Sequence, residues 1–82
     1  MESPERRSDV DEEERRVRIL RRLVDFSLAY IAQSRIPLDQ AHAIVAGVKR
    51  HALHLFPDKG ATFDLIYLPR FRRLVQEKYG LH

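Results

Sequence analysis

The sequence has no cysteine, so neither a disulfide nor a thiolate-bound metal can support its fold. Its 82 residues are enough for one small domain. The core of such a domain must consist of well-packed helices or be completed by a second subunit. A chain without cysteine is compatible with a reducing compartment, and we expect a cytoplasmic protein.

Long apolar runs are also absent. The most apolar stretch, from Leu23 to Ala32, is interrupted by Asp25 and Ser27 and is too short to cross a bilayer. The first residues are polar and acidic, unlike a signal or transit peptide. We therefore expect a soluble chain that does not bind membranes.

Side chains suited to metal binding or catalysis are scarce. His51 and His54 are three residues apart and could share one edge of a helix, but a zinc site needs a third and a fourth ligand. No serine or threonine lies in the context of a catalytic nucleophile, and no glycine-rich loop could hold a phosphate. We therefore expect no enzyme activity, no metal and no cofactor.

Charge is divided by position along the chain. Residues 1–14 carry seven acids and two arginines, a net charge of −5. Residues 15–82 carry thirteen lysines and arginines and five acids, a net charge of +8. Several acids precede an arginine by four residues, which is typical of exposed ion pairs along a helix. The remaining basic excess favours an anionic partner if its members share one surface.

A long first helix is predicted over residues 9–34, after a disordered tail over residues 1–8. Its apolar residues form two adjacent stripes that cover about 200° of the helix, more than one buried face requires. The first stripe consists of Val17, Leu20, Val24, Leu28 and Ile31. The second stripe consists of Ile19, Leu23, Phe26 and Tyr30. A helix with so wide an apolar arc should contact two neighbours or a second copy of the chain.

A second helix is predicted over residues 38–56, because Pro37 ends the first helix and suits the start of the next one. Its apolar residues alternate spacings of three and four, which is typical of a bundle seam.

The opposite side of the second helix is unusual, because Ala43, Ala46 and Gly47 are all small. A glycine inside a helix costs about 1 kcal/mol relative to alanine, and close approach of another helix is one reason to keep it. Leu53 falls on the polar side of the same helix. We therefore interpret Ala43, Gly47 and Leu53 as candidate partner-binding residues.

A third helix is predicted over residues 62–79. Pro69 lies inside its apolar stripe, and the stripe keeps its phase across the proline, which favours one continuous helix kinked at Pro69. The alternative is two short helices that meet at Leu68. The sequence thus predicts an all-α fold, a small three-helix bundle that forms a single domain over residues 9–82.

Three arginines, Arg70, Arg72 and Arg73, lie beside Tyr67 and Phe71. Arginine donates paired hydrogen bonds to phosphate, and aromatic rings can stack on bases. On a helical wheel, however, the two aromatic side chains point into the apolar stripe, so we interpret them as core. The basic residues remain a candidate nucleic-acid surface, with further members Arg21, Arg22, Lys49 and Arg50.

Two functional hypotheses follow. The first is a non-catalytic protein-interaction or regulatory module that associates with itself, based on the wide apolar arc of the first helix and the small residues of the second. The second is a nucleic-acid-binding protein that uses the basic residues just named. We favour the first, because an excess of charge without a reading motif is common on ordinary protein surfaces.

Overall fold

The computed structural model describes residues 4–80 of the chain, with side chains described from Asp9 onward. Every regular element in this range is a helix: α1 (Pro4–Gln33), α2 (Leu38–Leu55), α3 (Gly60–Ile66) and α4 (Leu68–Tyr79). The all-α class is confirmed. The predicted number of three helices is wrong, because the described residues form four.

α1 begins at Pro4, earlier than the predicted start at Asp9. Proline is favoured at the start of a helix, where its missing N–H would have no partner within the helix. Of the tail predicted over residues 1–8, residues 1–3 lie outside the described residues, and residues 4–8 have helical backbone.

The turn between α1 and α2 lies where the sequence predicts it. Ser34 donates its backbone N–H to the carbonyl of Tyr30 at 3.0 Å, just beyond the last residue of α1. The carbonyl of Pro37 then accepts the N–H groups of Gln40 and Ala41, each at 3.1 Å, and begins α2. Proline can hold this position because it needs no N–H donor there.

The segment predicted as one kinked helix is two helices separated at Tyr67. The N–H of Tyr67 donates to the carbonyl of Phe63 at 2.9 Å and closes α3, and the carbonyl of Tyr67 accepts the N–H groups of Arg70 and Phe71 in α4. Pro69 has no N–H to continue the ladder, and its ring crowds the carbonyl four residues earlier. A single helix over residues 62–79 is therefore wrong, and the alternative of two helices that meet at Leu68 describes the structure.

α1 and α2 form an antiparallel pair, and α4 packs against both. α4 runs parallel to α1, because Arg70 near its start pairs with Asp25 and Lys78 near its end binds the carbonyl of Ile31. α3 contacts α2 and α4. All four helices contribute to one core, which consists of Leu20, Val24, Ile31, Ala41, Val48, Ala52, Phe63 and Phe71.

α1 is much longer than the bundle that it belongs to. Its 30 residues span about 45 Å, whereas the 18 residues of α2 span about 27 Å. The side chains of residues 9–16 are all exposed, and Leu20 is the first buried residue among those described. The molecule measures 54 Å along its longest axis and 22 and 17 Å along the others. Residues 4–16 therefore project beyond the bundle, and we call them the arm.

Candidate protein-interaction surface

The two apolar stripes of α1 have different environments. Leu20, Val24 and Ile31 of the first stripe are buried, as the wheel predicts. In the second stripe, Phe26 is 70% exposed, Ile19 and Tyr30 are each 42% exposed, and Leu23 is half-buried. The described residues thus leave much of the second stripe, and Phe26 above all, open to solvent.

The second stripe forms a continuous apolar ridge. The rings of Phe26 and Tyr30, one turn apart, lie nearly parallel at 17° with their centroids 6.5 Å apart. Leu23 packs against the core beneath them and joins the ridge to the bundle. On the opposite flank of α1, Leu28 faces a groove that it shares with Pro69 of α4. α4 therefore occupies the other flank of α1 and leaves the ridge open.

The small-residue side of α2 is also open. Ala43 and Ala46 are exposed and Gly47 is half-buried. A Cβ atom added to Gly47 would meet only the guanidinium of Arg50, at 4.0 Å. No described helix makes the close approach for which these small residues are suited.

Leu53 has a role inside the chain. It is half-buried, and its Cδ2 atom lies 3.3 Å from the position that a Cβ atom of Gly60 would take. Leu53 therefore packs under the first residue of α3. This contact accounts for an apolar residue on the polar side of α2, and a side chain at position 60 would press on the Cδ2 atom of Leu53.

A second apolar surface lies at the end of the bundle where the arm leaves it. A groove with a volume of about 190 Å³ separates α1 from α3 and is lined mainly by apolar side chains, among them Val17, Phe56 and Ile66. Leu65, beside this region on α3, is 78% exposed. Sequence reasoning missed this surface, although Leu65 lies off the apolar stripe of its helix, which is a usable signal.

The three arginines of α4 lie on two sides of that helix. Arg70 and Arg73 line the groove between α1 and α4, whereas Arg72 lines a groove beside His42 on α2. Arg70 pairs with Asp25 of α1 at 3.5 Å. The basic cluster is thus divided, and one of its members is neutralised.

The other predicted basic residues are similarly dispersed. Lys49 pairs with Asp64 across α2 and α3 at 2.8 Å. Arg50 lies next to Gly47 on the outer side of α2, and Arg21 and Arg22 are exposed on α1.

The aromatic neighbours of these arginines belong to the core, as predicted. Phe71 is only 1% exposed, and Tyr67 is half-buried with its ring 5.7 Å from that of Phe63. Neither ring is presented as a platform on which a base could stack.

Among residues 4–80, no group of three or more histidine or acidic side chains is arranged to hold a metal ion. The rings of His51 and His54 lie 6.5 Å apart without a further ligand in this part of the chain. No helix in the same range is long and apolar enough to cross a membrane. No protein-family model, curated protein or solved structure matches the chain.

Proposed function

We propose that this protein is a non-catalytic helical interaction module that associates with itself through the second stripe of α1. The observation that carries the proposal is the exposure of Phe26, which is 70% accessible in the middle of a continuous apolar ridge. Contiguous apolar patches on a small protein mark interaction sites, whereas single exposed apolar residues need no explanation.

The energetics favour a partner that covers the whole ridge. Burying a phenylalanine side chain contributes about 1.5–3 kcal/mol, and the neighbouring Ile19 and Tyr30 add apolar area. In a symmetric dimer each of these residues is buried twice, once in each copy. Four such residues from each copy would together form the apolar centre of a helix-to-helix interface.

Sedimentation or light scattering through the micromolar range tests this proposal. We expect the natural chain to dimerise and the Phe26→Glu variant to remain monomeric, because a charge in the ridge would have to be desolvated. Leu65→Glu is the matched control, because it places the same charge at a similarly exposed apolar position of α3. It should leave the dimer intact. A natural chain that stays monomeric throughout this range would contradict the proposal.

Nucleic-acid binding is the alternative function. It is supported by the net charge of +8 over residues 15–82 and by the phosphate-binding capacity of Arg70, Arg72 and Arg73. Binding to mixed-sequence DNA and RNA over a series of salt concentrations tests it, because release of counterions makes such affinity fall steeply with salt. Absence of binding at low salt would exclude this alternative.

A further inference from the structure

The exposed part of α1 is divided into an acidic and a basic segment. Residues 9–14 contain five acids and no base, and residues 15–22 contain five arginines and no acid. Each of these charged side chains is exposed. Within the chain, Glu12 pairs with Arg16 at 3.3 Å and lies 3.9 Å from Arg15. The acidic segment belongs to the arm, so it has no bundle beside it in its own chain.

A parallel pairing of two copies through the second stripe would place like charges side by side. The two arms would run together beyond both bundles, acidic segment against acidic segment and arginines against arginines. Such juxtaposition of like charges is unfavourable and acts against that orientation.

An antiparallel pairing has the opposite effect. With the stripes face to face, Ile19 is level with Tyr30 of the second copy, and Leu23 is level with Phe26. Glu14 is then level with Arg35 of the second copy. Because α1 ends at Gln33, only the last residues of each arm lie beside the end of the other copy's bundle, and the two acidic segments are kept apart from each other.

We infer that two copies of the chain pair antiparallel through the second stripe, which separates their like-charged segments and places Glu14 of each copy level with Arg35 of the other. This inference rests on the proposed self-association and adds the identity of the surface that covers the stripe.

Disulfide trapping tests the orientation, and the absence of native cysteine makes single-cysteine variants unambiguous. Ile19→Cys and Tyr30→Cys are matched, because both positions are 42% exposed on the same stripe. In an antiparallel dimer the two copies of position 19 lie about 16 Å apart along the helix axis. A disulfide requires Cα atoms within about 7 Å, so neither variant should couple efficiently to itself.

An equal mixture of the two variants, oxidised in a glutathione buffer, should therefore give mainly the mixed disulfide, about fivefold or more above either self-coupled product. Mass spectrometry separates the three products by their masses. Leu65→Cys, on α3, serves as the control for random collision and should couple with neither variant.

The possible failures are distinguishable. If Ile19→Cys couples to itself as readily as to Tyr30→Cys, the pairing is parallel, and the inference fails while self-association stands. If the natural chain sediments as a dimer but no disulfide forms through the stripe, the dimer uses another surface, and the inference is overturned. If the natural chain is monomeric, the proposed function itself is wrong.

Discussion

The ammonium group of Lys78 in α4 donates a hydrogen bond to the backbone carbonyl of Ile31 in α1, 47 residues earlier in the chain. The same group also donates to the carbonyl of Ser34. The carbonyl of Ile31 belongs to the last turn of α1 and that of Ser34 lies just beyond it, where the carbonyls have no partner within the helix and a positive charge is favourable. The hydroxyl of Tyr79, the residue after Lys78, donates a hydrogen bond to the carbonyl of Ile36 at 2.8 Å. The end of α4 thus fixes the turn between α1 and α2.

Replacing Lys78 with methionine should destabilise the monomer. The apolar volume is kept, but two partly buried carbonyls lose a charged donor, which costs about 1–3 kcal/mol. For a domain of this size we expect the melting temperature to fall by at least about 4 °C, measured by circular dichroism. Lys59→Met, at an exposed position in the turn before α3, is the control and should change the melting temperature little. Equal effects of the two substitutions would show that the contacts of Lys78 do not stabilise the fold.

Pro69→Ala should also lower the melting temperature. Alanine restores an N–H at position 69 and allows α3 and α4 to merge, but Phe63 and Phe71 are both buried across the present break and would have to move. Loss of proline also increases the conformational freedom of the unfolded chain, which lowers stability by about a further 0.4–1 kcal/mol.

Pro57→Ala separates these two effects. Pro57 is exposed in the turn after α2, so its replacement should cost only the unfolded-state contribution. Denaturation by urea should therefore show a larger loss of stability for Pro69→Ala than for Pro57→Ala. A loss no larger than the control's would mean that the break between α3 and α4 is not required for core packing.

The division of this segment into two helices illustrates what periodicity can and cannot establish. Phe63, Tyr67 and Phe71 recur every four residues on both sides of the break, so the apolar stripe continues as though the helix did. A single turn residue, Tyr67, separates the two helices, yet Phe63 and Phe71 on either side of it are both buried. Pro69 predicts an interruption. Whether it kinks the helix or divides it in two depends on tertiary packing, which the sequence does not reveal.

The same limit applies to the candidate surface. The pattern of α1 predicts both apolar stripes and their directions, and Leu20, Val24 and Ile31 of the first stripe are buried as expected. A period of 3.6 residues gives the direction of a face but not whether a neighbour covers it. The ion pair between Arg70 and Asp25 spans two helices, whereas sequence reasoning can identify only partners three or four residues apart. Leu53 is similar, because its partner Gly60 is brought to it by the turn after α2.

Gly47→Ala distinguishes a free surface from a docking surface on α2. The new methyl group has room, since its nearest neighbour is the flexible end of Arg50 at 4.0 Å. Alanine should therefore stabilise α2 by about 0.5–1 kcal/mol and raise the melting temperature.

The dimerisation constant of this variant should stay unchanged, because the second stripe is on α1. Ala46→Gly, one residue earlier on the same exposed side, is the reverse control and should destabilise by a similar amount. If Gly47→Ala instead weakens self-association, a partner helix approaches the small-residue side, and the interface is not confined to α1.

Neutralising acids in the arm should weaken the dimer. In the antiparallel arrangement, Glu13→Gln with Glu14→Gln removes attraction between the last acids of each arm and Arg35 of the other copy. Exposed charge pairs contribute about 0.2–1 kcal/mol each, so a loss of about 1 kcal/mol over both arms, or a factor of about five in Kd, is expected at low salt. The effect should shrink as salt is added, because these charges are exposed and screened.

The sign of this effect is its most informative part. A parallel dimer places the two acidic segments together, so the same double substitution would relieve repulsion and tighten the dimer. Asp58→Asn with Glu77→Gln removes the same net charge outside α1 and therefore controls for a general effect of charge on association. Sedimentation equilibrium at low and high salt measures all three chains. A tighter dimer for the arm variant alone would contradict the antiparallel arrangement, and equal shifts for both variants would show that the arm makes no specific contact.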